Sequence, residues 1–380
     1  MKQASFLIIA AAAFVGVMGA LQIDRWLHRP VELAEPKGGM GAVMPIEFDT
    51  SSPAGADFRA PAHRVLPSVV AVDRFDAFER FGDGQQVVQE TGQGSGVIVN
   101  EDGTIVTNNH VVSGAAAVRV RLSDKRTFRA KVVGTDPRSD LAVLKIDAPD
   151  LKPIDLGDSS KIEVGQWVIA VGNPLGYAGT VSVGVVSSLG RNLMAASGRQ
   201  ASYLVDAIQT DAAINAGNSG GALADAQGRL IGINSAIAST SGGSIGIGFA
   251  IPVNRVRRVV NDILKLGYAR HGGLGVRFEP RYDGVLALER ARQSLAEIAG
   301  ATPPDHGIIV EDVDGGGSAE QAGVGRYDVL LALDGQALDD SLVLNQLLSS
   351  RLPGEKVSLK FWHKGQIKAA TLSLQEIGRQ

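Results

Sequence analysis

A mainly β chain with more than one folded part is predicted by its length, its glycine content and the texture of its apolar runs. At 380 residues the chain exceeds one average domain. Glycine fills 47 positions, well above the usual ~7%. It interrupts apolar runs that are short and rich in Val and Ile, the pattern of strands joined by tight turns.

The elements follow in chain order. Phe6 to Ile23 is an uncharged run of 18, with Lys2 before it and Asp24, Arg25 and Trp26 after it. That length is at the lower end for a membrane-spanning helix and above a signal-peptide core. Met18 and Ala20 supply only one of the small residues a cleavage site wants. Residues 1–27 are therefore expected to be an uncleaved membrane anchor. Lys2 is opposed by Arg25 and Arg29, so charge alone does not orient it. Residues 28–60, rich in Pro, Gly and Ala, read as a flexible tether. From Pro61 the runs GVIVNEDGTIVT, AAVRVRL, FRAKVVGTD and LAVLKID read as hairpin strands. In IPVNRVRRVVNDILKLG, Val253, Val256, Val260, Ile263 and Leu264 recur at helical spacing. Beyond His271 the texture changes again, and LALERARQSLAEIAG, within residues 279 to 305, predicts a charged amphipathic helix over a domain flank.

Composition narrows the function. Net charge is −3 with no sustained basic stretch, so nucleic acid is not an expected partner. The absence of cysteine excludes a thiol nucleophile, disulfides and thiolate metal sites. No metal or organic cofactor is implied.

Three strings carry chemistry: TNNHVV around His110, SDLAVL around Asp140 and DAAINAGNSGGAL around Ser219. A serine hydroxyl is a poor nucleophile until an imidazole takes its proton, and a carboxylate must fix that ring's tautomer. Of six histidines only His63 and His110 lie between Pro61 and Ser219, and His63 has no strand-to-turn context. His110 is the expected base, Asp140 its orienter and Ser219 the nucleophile. Gly217, Asn218 and Ser219 are the expected oxyanion hole, the N–H groups of Gly217 and Ser219 converging on the developing charge. The order His, Asp, Ser is that of chymotrypsin-type serine proteases, not of subtilisins or α/β-hydrolases.

The run from Pro61 to Asn261 resembles the protease domain of the HtrA (Deg) family. The match lies in GSGVIVNEDGTIVTNNHVV, DPRSDLAVLKI, VIAVGNPLG, VSVGVVSSLGR, IQTDAAINAGNSGGAL, LIGINSAI and GIGFAIPV. Ala216 and Ala222 depart from residues common in the family, and neither removes a catalytic group. The resemblance implies a double antiparallel β-barrel of trypsin/chymotrypsin type over residues 61–264, with the site between the barrels, assembled as a homotrimer. In chymotrypsin-type enzymes the base of the specificity pocket lies six residues before the nucleophile, here Ala213. Ile214, Ile233, Asn234, Ser235 and Ile237 are expected to form its walls. With no acid there, cleavage after small or medium aliphatic residues is expected.

Residues 270–376 resemble one PDZ domain, in GGLGVRF, GIIVEDVDGGGSAEQAGVGRYDVLLALDGQAL and PGEKVSLKFWHKGQIKAATLSL. Such a domain takes a peptide C-terminus as an added strand, and loop amides hold its carboxylate. The loop here is Gly273, Leu274, Gly275 and Val276. Arg326 and Tyr327 replace the Pro-Gly usual in the family. One anchor with one PDZ domain resembles the DegS-type branch, which implies a single-pass inner-membrane protein with its folded domains in the periplasm. The implied activity is ATP-independent serine endopeptidase action on unfolded or regulatory membrane proteins, with PDZ sensing of exposed C-termini. Segment Arg191 to Tyr203 is the expected switch loop. A chaperone-like or peptide-binding scaffold with negligible turnover remains the alternative.

Overall fold

In the computed structural model the described residues are 57–79, 86–173, 179–197, 200–237, 244–278, 282–349 and 351–377. The expected anchor and most of the tether lie outside them. Among the described residues no helix is long and apolar enough to cross a membrane.

After helix α1 (Arg59–Val65) come six strands: β1 (Val69–Glu79), β2 (Gln86–Ile98), β3 (Thr104–Thr107), β4 (Ala117–Arg121), β5 (Thr127–Asp136) and β6 (Leu141–Lys145). They close in the order β1-β2-β3-β6-β5-β4. One-turn helix α2 (Asn109–Val112) follows β3. The second barrel is built from β7 (Trp167–Gly172), β8 (Thr180–Ser197), β9 (Gln200–Thr210), β10 (Ala222–Asp225), β11 (Leu230–Ile237) and β12 (Gly248–Pro252). It closes in the order β10-β11-β12-β9-β8-β7.

These strands are apolar on successive positions because both of their faces are covered. In β1, Val70 and Val72 fill the first barrel. Val69, one position over on the pleat, joins Val97, Val106, Leu141 and Val143 in a seam against Ile169, Val171 and Phe249 of the second barrel. The expected hairpin strands of the first barrel are thus present, and the seam between the barrels is where the site must lie.

Helix α3 (Val253–Leu266) lays Val253, Val256, Val259, Val260 and Ile263 into that seam and ends at left-handed Gly267. Leu264, expected on the buried face, is exposed. Val259 takes its share, since positions 256, 259, 260 and 263 form a tighter stripe.

The remaining strands form a third lobe: β13 (His271–Gly273), β14 (Val276–Arg277), β15 (Ile308–Ile309), β16 (Asp312–Val313), β17 (Val329–Leu333), β18 (Gln336–Ala337), β19 (Lys356–His363), β20 (Gln366–Ser373) and β21 (Gln375–Ile377). Its main sheet runs β15-β17-β19-β20 with β18 on β17, and two ribbons pair β13 with β21 and β14 with β16. Helices α4 (Glu289–Ala299), α5 (Ser318–Gln321) and α6 (Ser341–Ser349) complete it. Leu330, Leu344, Leu359 and Phe361 centre its core. The inserted helix α4 covers a flank, Leu286 and Leu295 packing on Val329, Leu331 and Trp362. The Arg326-Tyr327 turn forms without Pro-Gly: Tyr327 takes φ +69°, and the Gly325 N–H donates to Asp328 Oδ2 at 2.7 Å.

The lobe is tied to the barrels through charged side chains. His271 Nε2 lies 3.0 Å from Asp136 Oδ1, both buried. Arg255 donates to Val205 O at 2.6 Å and to Ser349 Oγ at 3.2 Å, and Arg258 donates to Ser349 O at 3.2 Å. Burial alone would raise the Asp136 carboxyl. The bond to His271, its charge and hydrogen bonds from Ser139 outweigh that and hold it below the ordinary carboxylate range. A carboxyl lowered on folding stabilises above its unfolded pKa and loses that contribution as pH falls through its folded value. Asp136→Asn should therefore cost about 1–3 kcal/mol at neutral pH. Chemical denaturation should show the gap between wild type and variant closing on acidification below the carboxylate range.

Candidate active site

His110 stands on α2, a single turn that places it over the seam. Its partner Asp140 sits at the end of a tight turn with φ +52°, where a short polar side chain is tolerated. The backbone there is held from the histidine side: Asn108 Nδ2 and Asn109 N–H donate to Asp140 O at 3.0 and 3.1 Å. The Asp140 carboxylate in turn accepts the His110 main-chain N–H at 3.0 Å. His110 Nδ1 lies 2.8 Å from Oδ2 and 3.0 Å from Oδ1. A carboxylate against Nδ1 fixes the tautomer that carries its proton there and leaves Nε2 as the acceptor. The Asp140 side chain is buried, while that of His110 is 32% exposed and so reachable by a substrate.

Ser219 follows a turn that only glycines permit. Gly217 has φ +97° and Gly220 φ +85°, and a Cβ on Gly220 would lie 2.1 Å from Ser95 O. Cβ atoms on Gly172 and Gly221 would lie 2.3 Å from Asn218 Oδ1 and 2.2 Å from Val171 O. The Ser219 hydroxyl donates to Ser235 O at 3.1 Å, and among the described residues no hydrogen bond joins it to His110. Ser235 Oγ donates to Asp140 Oδ2 at 2.8 Å. One residue of β11 thus holds the nucleophile by its carbonyl and the carboxylate by its hydroxyl. In enzymes without bound substrate a base–nucleophile hydrogen bond is often long, tightening only in the substrate complex.

The expected oxyanion trio needs correction at Asn218. Its N–H donates to Asn215 O at 2.9 Å and its Nδ2 to Ala213 O at 3.4 Å, so it braces the turn. Gly217 and Ser219 are left as the candidate donors. Of the expected pocket residues, Ala213 is half-buried and its carbonyl accepts from Ser182 Oγ at 2.7 Å. Ile233 and Asn234 have no exposed surface, and Ile214 packs inside the second barrel at 1% exposure. These three back the wall instead of forming it. The side chain of Ile237 lies outside the described residues.

In the third lobe, Gly275 at φ +76° links β13 to β14. Leu274 is buried in the lobe's core, so only its backbone is offered to a ligand. Half-buried Val276 and Phe278 on one side and Val343 and Leu347 of α6 on the other surround that core as an apolar lining. Segment Arg191 to Tyr203, expected as a loop, is an extended arm: β8 and β9 pair out to Ser197 opposite Gln200. Its small and polar residues disguised two paired strands.

Reading the residues singly missed Asn108 as a brace for Asp140 and the second contact of Ser235. Asn108 lay inside the TNNHVV string, but nothing in that string tells a brace from a turn residue.

Family models match the chain twice: a trypsin-like peptidase domain over residues 94–233 and a PDZ domain over residues 272–374. A DegP-like periplasmic serine endoprotease of Brucella suis is 43% identical over 284 residues, 74% of this chain and 52% of the relative. One of Chlamydia trachomatis is 41% identical over 288 residues, 75% of this chain and 54% of the relative. The chain therefore spans about half the length of those relatives. Among solved structures, the HtrA-type protease AlgW with a decapeptide is 36% identical at a TM-score of 0.64, covering 85% of this chain and 99% of that one. A serine endoprotease from Yersinia pestis is 29% identical at a TM-score of 0.58, with 86% and 100% coverage.

Asp140→Asn keeps the shape and one acceptor oxygen but replaces the other by an NH₂ donor, so it should leave the fold intact and offer the His110 ring the wrong tautomer. Turnover of a quenched fluorescent peptide should fall by roughly four orders of magnitude. Loss of less than about ten-fold would separate Asp140 from the chemistry.

Proposed function

As the chain belongs to the HtrA-type serine proteases, we propose that it is an ATP-independent serine endopeptidase whose third lobe senses peptide C-termini. The observation that carries the reading is the bond set converging on Asp140 and Ser235, which links His110, Asp140 and Ser219 through one residue of β11.

His110 Nε2 removes the Ser219 proton as Oγ attacks the scissile carbonyl, and Asp140 stabilises the imidazolium. The amides of Gly217 and Ser219 receive the oxyanion. His110 then protonates the leaving amine, and water hydrolyses the acyl-serine by the same steps in reverse. Ala213 and the absence of an acid beside it favour small or medium aliphatic residues before the cut. The Gly273–Val276 amides take a free C-terminal carboxylate, and the peptide adds as a strand to β14. AlgW, solved with a decapeptide, supports a peptide ligand for this architecture.

The uncharged run Phe6–Ile23 supports a single-pass inner-membrane anchor, and the periplasmic relatives support folded domains on that side. A homotrimer built through the barrels is part of the same reading. Phe58 packs on Trp167 with ring centroids 5.4 Å apart, and Trp167 is still 49% exposed, an apolar surface suited to a neighbouring copy. Light scattering on the chain lacking residues 1–27 should give three copies at micromolar concentration, and a monomer would exclude that assembly.

The activity is tested with an unfolded substrate, with and without a peptide ending in a free hydrophobic residue. Ser219→Ala should lower turnover by a factor on the order of a million. Wild type should respond to the free acid and far less to the C-terminal amide, which lacks the charge the loop amides hold. Equal turnover by wild type and Ser219→Ala would leave a binding scaffold, and equal response to acid and amide would remove carboxylate sensing.

A further inference from the structure

Ser95 belongs to β2 of the first barrel, yet among the described residues its hydroxyl bonds to the second. It is fully buried. Its Oγ donates to Gly217 O at 2.5 Å and accepts the Asn173 N–H at 2.8 Å. Its own N–H donates to Ser219 O at 2.8 Å, and its carbonyl accepts Thr107 Oγ1 at 2.6 Å. Ser95 therefore grips the carbonyls on both sides of Asn218.

The Gly217 carbonyl belongs to the peptide unit lying between the two amides assigned to the oxyanion. That unit is pinned at both ends, its C=O by Ser95 and its N–H by Asn215 O. Glycine at φ +97° has no Cβ to restrict rotation, so sterics alone do not fix the plane and an outside group must. The Asn173 N–H occupies a lone pair of the Ser95 hydroxyl and thereby aims its proton at Gly217 O.

We propose that Ser95 is a positioning residue of the oxyanion hole, holding the Gly217–Asn218 peptide so that the amides of Gly217 and Ser219 converge on one point. It touches neither substrate nor the reacting atoms, and the inference rests on the hydrolytic reading above. An oxyanion exists only after attack, so misaligned amides cost transition-state stabilisation and leave substrate binding in place.

Three measurements on Ser95→Ala test this: kcat and KM with a peptide substrate, the affinity of a peptide boronic acid whose adduct with Ser219 places an oxygen in the hole, and the acid limb of the pH profile. The expected result is a fall in kcat of about 10- to 100-fold. KM should stay within about three-fold, boronate affinity should fall in step with kcat, and the acid limb should not move, because His110 and Asp140 keep their contacts. A purely structural role would lower the melting temperature and leave kcat and boronate affinity of the folded fraction unchanged. Should Ser95→Ala not fold, Ser95→Cys keeps the shape with a weaker donor and should give a smaller drop of the same pattern. A folded variant with kcat within about two-fold of wild type, or one whose loss lies in KM, overturns the proposal. Wild type that turns over no faster than Ser219→Ala overturns the hydrolytic reading and this inference together.

Discussion

The carboxylate of Asp140 is the point on which the two barrels agree. It is buried at a left-handed turn of the first barrel, and its oxygens accept the main chain and ring of His110 and, from the second barrel, the hydroxyl of Ser235. A buried carboxylate is costly unless its lone pairs are filled. Here the groups that fill them also fix where the base stands relative to the nucleophile. Misplacing either barrel would leave this anion short of donors, so the geometry of the site and the docking of the barrels are satisfied by one set of bonds.

Much of this was legible in the residues because the chemistry constrains both type and order. A serine between glycines, a histidine after a buried strand and an aspartate before another left little choice, and the short Val/Ile-rich runs broken by turn residues announced a β fold of hairpins. What stayed hidden depends on which atom of a residue points where. Ser235 was legible as pocket material but not as the donor to Asp140. Asn218 was assigned an oxyanion role that its amide, bonded to Asn215, does not have free. Ile233 and Asn234 are wall-like in sequence and fully enclosed in space, since both faces of β11 are covered. Leu264 fits a helical period as well as Val259 does, and only the width of the seam chooses between them.

The third lobe shows a different kind of dependence. Its core is separate, yet its junction relies on His271 reaching buried Asp136 of β5 and on Arg255 and Arg258 of α3 reaching half-buried Ser349 of α6. Directional polar contacts of this kind have fewer equivalent arrangements than an apolar interface of equal area. Arg255 touches both Val205 of β9 and Ser349 of α6, so a helix of the third lobe and the strand leading into the β8–β9 arm share one guanidinium.

The glycines at the seam have a consequence for how such a chain can diversify. A methyl group on Gly94 would land 2.7 Å from Val111, the residue after His110, and one on Gly220 would strike the backbone of Ser95. A substitution at Gly220 must displace backbone and one at Gly94 must displace the buried Val111 side chain, so mutational drift around Ser219 is restricted from both barrels at once. Variation is channelled outward to surfaces away from the seam, such as the exposed face of the helix inserted in the third lobe. Changes in outer surface can accumulate there while the bond set around Asp140 stays the same.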